Sequence, residues 1–481
     1  MIRASLAIVV AAAVTARAQV TVPLEWTGSG KVFGVEGPAR VVVTPAGGVL
    51  IGIEGDVRVR RCLDGASAWS DDLGTPAATL HFTERDRLAV FGAVLSGTWD
   101  DSGSPLQLVF AEGTWSFTMS GSPLRGTIHA DSGGPVSKFT IESGEGTSTT
   151  TMTGWHEVEG GWMPTEIATV SPQAGDMTIS LSASSKAGSD AMRRPGADAA
   201  AARFAANIPP ALEVKRAKTG HLLVKPVING KECGWFIFDT GAGATVLDKT
   251  TAERLGVRQF GEIGVGGIGA ATTSPLSQPE TFTLGPATLE RPTFITLDLK
   301  AIGAALGEDL AGVAGYDLLS RVVTVLDSEA GTISLFDPAS FAGEEPWQRM
   351  YIYERHACLD ATVEGHGGVF KLDTGSNTAV SMHGPAVERF KMLEGREVKE
   401  ARIGGSGGFR QAKRGKLSNV VLGGREYTNV DAIFSTPSQD AFSDPSTLGN
   451  IGGPLLKDFV LVLDYPHERL ALRPKAATKA P

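Results

Sequence analysis

From Val20 to about Leu181 the chain is a succession of short runs in which apolar and polar residues alternate. Val41-Val42-Val43, Val49 to Val59, Leu106 to Phe110, Trp115 to Met119, Lys138 to Ile141 and Met177 to Leu181 are separated by Gly, Pro, Asp and Ser. Alternation of this length between turn residues predicts half-buried antiparallel strands. Six Trp fall in this stretch (Trp26, Trp69, Trp99, Trp115, Trp155 and Trp162). Rings of that size are expected in the core of the sheet rather than along a ligand groove. Residues 182–211 change character: a Ser/Ala stretch, Arg193-Arg194-Pro195-Gly196, an Ala-rich run and Pro209-Pro210 predict a linker with one short helix. Strand patterning then resumes to residue 475, and 476–481 read as a disordered tail.

The amino terminus differs again. Met1-Ile2-Arg3, an apolar run from Ala4 to Val14 and Ala16-Arg17-Ala18 have the order of a secretory signal peptide, 1–18. The run falls short of the ~20 apolar residues a membrane helix needs, and no later segment reaches that length. A secreted or periplasmic mature chain is the expectation. Losing Arg3 and Arg17 would take the formal charge from −9 to −11. An acidic balance disfavours binding to nucleic-acid phosphates. Cys62, Cys233 and Cys358 allow one disulfide in an oxidising compartment, but their spacing selects no pair. At roughly 150 residues per domain, 481 residues suggest about three domains.

Two segments of the carboxy-terminal half repeat each other. Trp235-Phe-Ile-Phe-Asp239-Thr240-Gly241-Ala242 is echoed by Val369-Phe-Lys-Leu-Asp373-Thr374-Gly375-Ser376, 134 positions on. Downstream, Gly312-Val-Ala-Gly315-Tyr-Asp-Leu318-Leu319 is matched by Gly449-Asn-Ile-Gly452-Gly-Pro-Leu455-Leu456, offset by 137. Each copy closes on a hairpin, Val322 to Leu326 with Thr332 to Phe336 and Phe459 to Leu463 with Arg469 to Leu472. Two motifs in order at a nearly constant offset indicate one duplicated unit. Over roughly residues 212–475 the chain resembles the aspartic protease superfamily, in its pepsin-like bilobal and retroviral-type forms. The run from Ala242 to Leu255 is similar to retropepsin-like bacterial domains. The resemblance implies an all-β fold, a bilobal, acid-protease-like double β-barrel with lobes at 212–342 and 343–475, and the alternating runs before it predict a separate antiparallel β domain at 19–181. It implies a monomer whose lobes form an intrachain pseudo-dimer.

Two carboxylates brought within ~3 Å cannot both ionise, so they share a proton and their titrations split. Asp239 and Asp373 are the candidate catalytic pair. The ionised member can take a proton from water and the other can protonate the scissile carbonyl, with no metal or cofactor. Gly241 and Gly375 would permit the tight turns, and the family implies that Thr240 and Thr374 bond across the pseudo-dyad. Ser376 beside Asp373, against Ala242 beside Asp239, points to Asp239 as the protonated member. Flap candidates are Gly266 and Gly267 in the hairpin Phe260 to Ser274, and Gly407 with Phe409 in the second lobe. Neither carries the flap Tyr of pepsin-like enzymes, which favours a Gly-tipped, retroviral-type flap.

Other motifs carry less. Asp131-Ser132-Gly133-Gly134-Pro135 lacks the context of a serine-protease nucleophile, and Gly264-Val-Gly266-Gly-Ile-Gly269 opens no helix to hold a pyrophosphate. Gly404-Gly-Ser406-Gly-Gly408 is a loop tip, and the eight His show no metal-binding spacing. Trp155-His-Glu-Val-Glu-Gly-Gly-Trp162-Met-Pro164 resembles the strand-turn-strand of lipoprotein-carrier-like domains over those residues alone. The expected function is an aspartic endopeptidase acting on a peptide or unfolded protein. The alternative is a weak or inactive peptide-binding protein on the same fold. The amino-terminal domain reads as a targeting module, a substrate adaptor or a prosegment; Arg193-Arg194 would be the processing site of a prosegment, but an ordinary solvated linker is the preferred reading of that pair.

Overall fold

The computed structural model describes residues 19–130, 135–144, 146–171, 175–267, 272–405, 408–436 and 442–475. The expected signal peptide and tail, Ser132, Gly269, Ser406 and Gly407 lie outside the described residues. Strands dominate, as the alternating pattern predicts. No described helix is long and apolar enough to cross a membrane.

Residues 24–186 build one 13-stranded antiparallel sheet. Its first strand, Leu24–Val32, sits mid-sheet between Val35–Val43 and the last strand, Met177–Lys186. The two ends of this region are therefore neighbours. The run Val49 to Val59 divides into Val49–Ile53 and Val59–Asp64, because residues 54–58 turn. Trp26, Trp69 and Trp99 are core residues; Trp115 and Trp155 are partly buried at the core margin.

A 15-residue helix, Phe82–Ser96, joins the two halves of the sheet. The alternating pattern does not predict it. Leu88-Ala-Val-Phe-Gly-Ala-Val-Leu95 is apolar on every face, and a run without periodicity does not distinguish a buried helix from a buried strand. The helix lies on Val35–Val43, Val49–Ile53 and Val59–Asp64 and ends at Gly97, whose left-handed backbone (φ 75°) caps it.

Beyond the linker, two eight-stranded sheets share one strand order. In the first, Trp235–Phe238 runs parallel to Leu310–Ala314, which is antiparallel to Val246–Asp248, which is parallel to Phe294–Leu297. In the second, His366–Asp373, Gly449–Gly452, Val380–Met382 and Arg425–Ser435 repeat those senses. A hairpin ends each sheet: Arg258–Val265 with Thr272–Gln278, and Lys399–Gly405 with Gly408–Leu422. The two closing hairpins merge into one five-stranded sheet, in which Val323–Asp327 pairs antiparallel with Phe459–Asp464. That sheet is a shared floor for both lobes. The three Cys are buried and unpaired.

The main apolar cluster of the amino-terminal sheet extends into the first lobe. Leu276 and Ile295 of the first lobe belong to its apolar cluster, with Phe260, Ile263 and Val265 of the first-lobe hairpin packed against it. Phe33 turns its carbonyl onto that hairpin and accepts from Glu262 N at 2.8 Å. A Cβ on Gly261 would stand 2.4 Å from the same oxygen, so glycine is required there. Arg258 pairs with Asp56. The linker is fastened as well: Arg194 is held by Glu468 at 2.8 Å and Thr79 at 2.9 Å, and Trp69 donates to Met192 O at 3.3 Å. A chain starting at residue 187 is therefore expected to expose the apolar back of the first-lobe hairpin, bind a hydrophobic dye and self-associate. Light scattering and dye fluorescence would check this; a monomeric, dye-free fragment melting at the full-length temperature would refute it.

Candidate active site

Each Asp-Thr-Gly follows the carboxy end of a strand buried on both sides, Trp235–Phe238 or His366–Asp373, each locked parallel to an apolar-Gly strand. The chain turns sharply there. Gly315 and Gly452 make room for the two returning loops: a Cβ on Gly315 would meet Ala242 O at 2.6 Å, and one on Gly452 would meet Thr378 O at 2.0 Å. The apolar-Gly segments thus form the wall behind each aspartate.

The loops face each other. A Cβ on Gly241 would lie 2.5 Å from Asp373 Oδ1 and 3.2 Å from Asp239 Oδ1; one on Gly375 would lie 2.6 Å from Asp239 Oδ2. Each carboxylate therefore reaches the glycine of the opposite loop, which no other residue could replace without displacing it. Asp239 Oδ1 accepts from Gly241 N at 2.7 Å and from Gly375 N at 3.1 Å, one donor from each lobe. Thr240 is buried between the lobes. Its hydroxyl donates to Leu372 O at 2.9 Å and accepts from Thr374 N at 3.0 Å, while Thr374 Oγ1 accepts from Thr240 N at 3.1 Å.

Burial raises both carboxyl pKa values. Asp373 is pushed up to about 7, burial first and the neighbouring Asp239 charge second. Asp239 is raised by burial too, and its two backbone donors pull it back. Donors to an ionised carboxylate favour that form, and Asp373 has its own in Asn450 and Gly375, which oppose the rise. The expectation of a proton on Asp239 rests on a Ser376 hydroxyl turned to Asp373. The Ser376 hydroxyl turns to its own loop, donating to Thr378 O at 3.5 Å and accepting from Thr378 N at 3.2 Å.

Two histidines escaped the sequence reading. His221 Nε2 donates to Gly375 O at 2.8 Å from the first lobe, and His356 Nε2 donates to Gly241 O at 3.1 Å from the second. They cross-brace the two turns. Burial lowers the His356 pKa to about 4, so it serves as a neutral donor. The two stand 135 positions apart, at the spacing of the repeated motifs, and that spacing is the signal that would have found them.

Of the flap candidates, Gly266 is exposed and Gly267 half-buried beside the end of Arg258–Val265. Phe409 projects from the second-lobe hairpin, 71 % exposed, under the Arg402 guanidinium. A hollow of about 330 Å³ lies behind the Asp373 loop, lined by Asn377, Thr378, Tyr427 and Leu455 among others, with neither aspartate in its wall.

Residues 224–318, the first Asp-Thr-Gly and its apolar-Gly strand, match the family described as aspartyl protease. Among solved structures, 126 chains match. One is a retropepsin-like aspartic protease from Rickettsia conorii, 18% identical over 27% of this chain and 89% of its own, with a TM-score of 0.21. No curated protein matches.

Thr240→Val should leave Leu372 O and Thr374 N without their buried partner, costing on the order of 2 kcal/mol. Denaturant unfolding would show a lowered midpoint with loss of activity. An unchanged midpoint would mean that the threonine pair does not hold the lobes together.

Proposed function

We propose that the chain is an aspartic endopeptidase whose single active site is formed by Asp239 and Asp373. The observation that carries this reading is the facing of the two Asp-Thr-Gly loops, with each carboxylate against the opposite glycine. Asp239, held ionised by Gly241 and Gly375, is the base: it takes a proton from a water placed between the carboxyls as that water adds to the scissile carbonyl carbon. Asp373 gives its proton to the carbonyl oxygen, producing a neutral gem-diol. Collapse of the gem-diol returns a proton to Asp373, while the proton on Asp239 passes to the departing amine nitrogen. Every proton is accounted for within the pair and the water, and no covalent intermediate is needed.

The buried site strengthens these charge interactions relative to water. A peptide would bind extended between the lobes, its backbone adding to the edges of the two hairpins. The family match of residues 224–318 supports a peptide as the class of substrate. One chain supplies both halves of the site, so no second copy is required. The signal-like amino terminus supports action outside the cytoplasm.

Asp239→Asn and Asp373→Asn should each abolish cleavage of an unfolded protein, seen as loss of fragments on a gel at unchanged melting temperature. Turnover by either variant would end the shared-proton mechanism. The pH profile follows from the shifts. Activity needs Asp239 ionised and Asp373 protonated, so it should fall on the alkaline side near pH 7, as Asp373 loses its proton. On the acid side it should fall at a pH above that of an ordinary carboxylate, as Asp239 gains one. The peptide-binding alternative, favoured by the absent flap Tyr, predicts binding of a peptide without cleavage and without tight binding of a hydroxyl-containing transition-state mimic.

A further inference from the structure

The two lobes match in strand order but not in polarity at two facing positions. In the first lobe Ile237 pairs in register with Val313; in the second Lys371 pairs with Asn450. Both positions stand at the same distance from the aspartate and its apolar-Gly partner in each lobe. Two apolar side chains in one copy are thus an amide and a buried ammonium in the other.

Asn450 Nδ2 lies 3.1 Å from Asp373 Oδ2, and Asn450 Oδ1 lies 3.0 Å from His383 Nε2. His383, fully buried, meets the Thr447 hydroxyl through Nδ1 at 3.1 Å, and that hydroxyl meets Asp444 Oδ2 at 3.2 Å. Asp444 Oδ1 accepts from Tyr353 at 3.1 Å and from Ser446 N at 2.9 Å. The Tyr353 hydroxyl lies 2.6 Å from Thr83 at the start of the helix in the amino-terminal sheet.

The donors along this row are read outward from Asn450 as it is oriented. Its oxygen requires a proton on His383 Nε2. A neutral imidazole then accepts at Nδ1, where the Thr447 hydroxyl stands 3.1 Å away. Burial lowers the His383 pKa to about 4, with Lys371 opposing its protonation as well. Burial first, and Glu354 second, raises that of Asp444, while Lys371 and the Ser446 amide oppose this. Lys371 and Glu354 face both groups, paired to each other at 2.6 Å; Asp239 and His221 face Asp373.

We propose, on the reading of Asp239 and Asp373 as a proton-sharing pair, that Asn450 is a positioning residue. Held by His383, Thr447 and Asp444, it donates to Asp373 Oδ2 and confines that carboxyl's proton to Oδ1, the oxygen turned toward Gly241. An acid proton on Oδ2 would point away from the facing loop and would be useless to a carbonyl bound between the lobes. Breaking the row at Thr447 frees His383 to carry its proton on Nδ1. Asn450 then turns its amide group to His383 and its oxygen to Asp373, and the acid proton moves to Oδ2.

The test follows kcat and KM against pH for the wild type, Asn450→Val and Thr447→Val with an internally quenched peptide. Carboxyl infrared titration of the same proteins runs alongside, with Asp373→Asn identifying the band. Removing a donor to the ionised form raises the pKa. Asn450→Val, which installs the residue of the matching position, should lower kcat and move its alkaline limb and the Asp373 band upward by about one pH unit. Thr447→Val, which touches neither aspartate, should shift both the same way. A folded Asn450→Val protein with unmoved limb and band overturns the proposal, as a kcat loss alone is what a structural residue would give. If Asn450→Val does not fold, an unmoved limb and band in Thr447→Val does the same. If the wild type cleaves nothing, the protease reading falls and the infrared shift still decides the role of Asn450.

Discussion

The Thr240 hydroxyl has one proton and two lone pairs, and it spends them across the boundary between the lobes. It donates to Leu372 O and accepts from Thr374 N, while Thr374 Oγ1 accepts from Thr240 N. Buried donors and acceptors lose more when unpaired than they gain when paired, so the arrangement tolerates little drift. The position of both carboxylates follows from it. Asp239 can accept an amide from each lobe only while the two turns are held in this relation. His221 and His356 brace the same turns from outside, and the shared five-stranded sheet fixes the lobes beneath them. A water between the aspartates would thus meet two carboxyls whose separation is set by backbone, which is what preorganisation requires.

The amino-terminal sheet enters this arrangement through the first-lobe hairpin. Hairpins that cover a substrate cleft must move, and a hairpin whose apolar back is packed into another core moves only with that core. The Phe33 carbonyl on Glu262 and the joined cluster around Leu276 and Ile295 tie the two together. A second junction at Thr83, Tyr353 and Asp444 ties the helix of the sheet to the second lobe. The sheet therefore touches both lobes, which a simple tether between modules would not need to do. Arg194, the candidate processing position, is itself clamped between Thr79 and Glu468.

Much of this was legible in the sequence. Alternation located the strands, and apolar runs leading into Asp-Thr-Gly located the two turns, because buried strands and tight turns leave strong local signatures. The helix Phe82–Ser96 was not legible, since a segment buried on all faces has no periodicity to read. Ser376 misled for another reason: adjacency in sequence says nothing of rotamer, and its hydroxyl found a nearer partner in Thr378. His221 and His356 were hidden because a lone histidine is ordinary, and only their shared offset marks them. Asn450 was hidden inside the very motif that announced the repeat, where the eye looks for what the copies share.

What the copies do not share sets the two aspartates apart. Two identical carboxyls related by an exact twofold would hold their proton equally, and catalysis needs one acid and one base at the same moment. The first lobe leaves Ile237 and Val313 apolar; the second buries Lys371 and Asn450 in their place. Burying an ammonium and a carboxylate is unfavourable unless each is paired, and replacing such a pair by apolar residues is often neutral or stabilising. The row from Asn450 to Asp444 is therefore poorly explained as a device for stability, because the other lobe is built without it. It does make the surroundings of Asp373 unlike those of Asp239: Asp239 accepts from the amides of Gly241 and Gly375, and Asp373 from the side-chain amide of Asn450. The duplicated fold brings the aspartates together, and its departures from symmetry tell them apart.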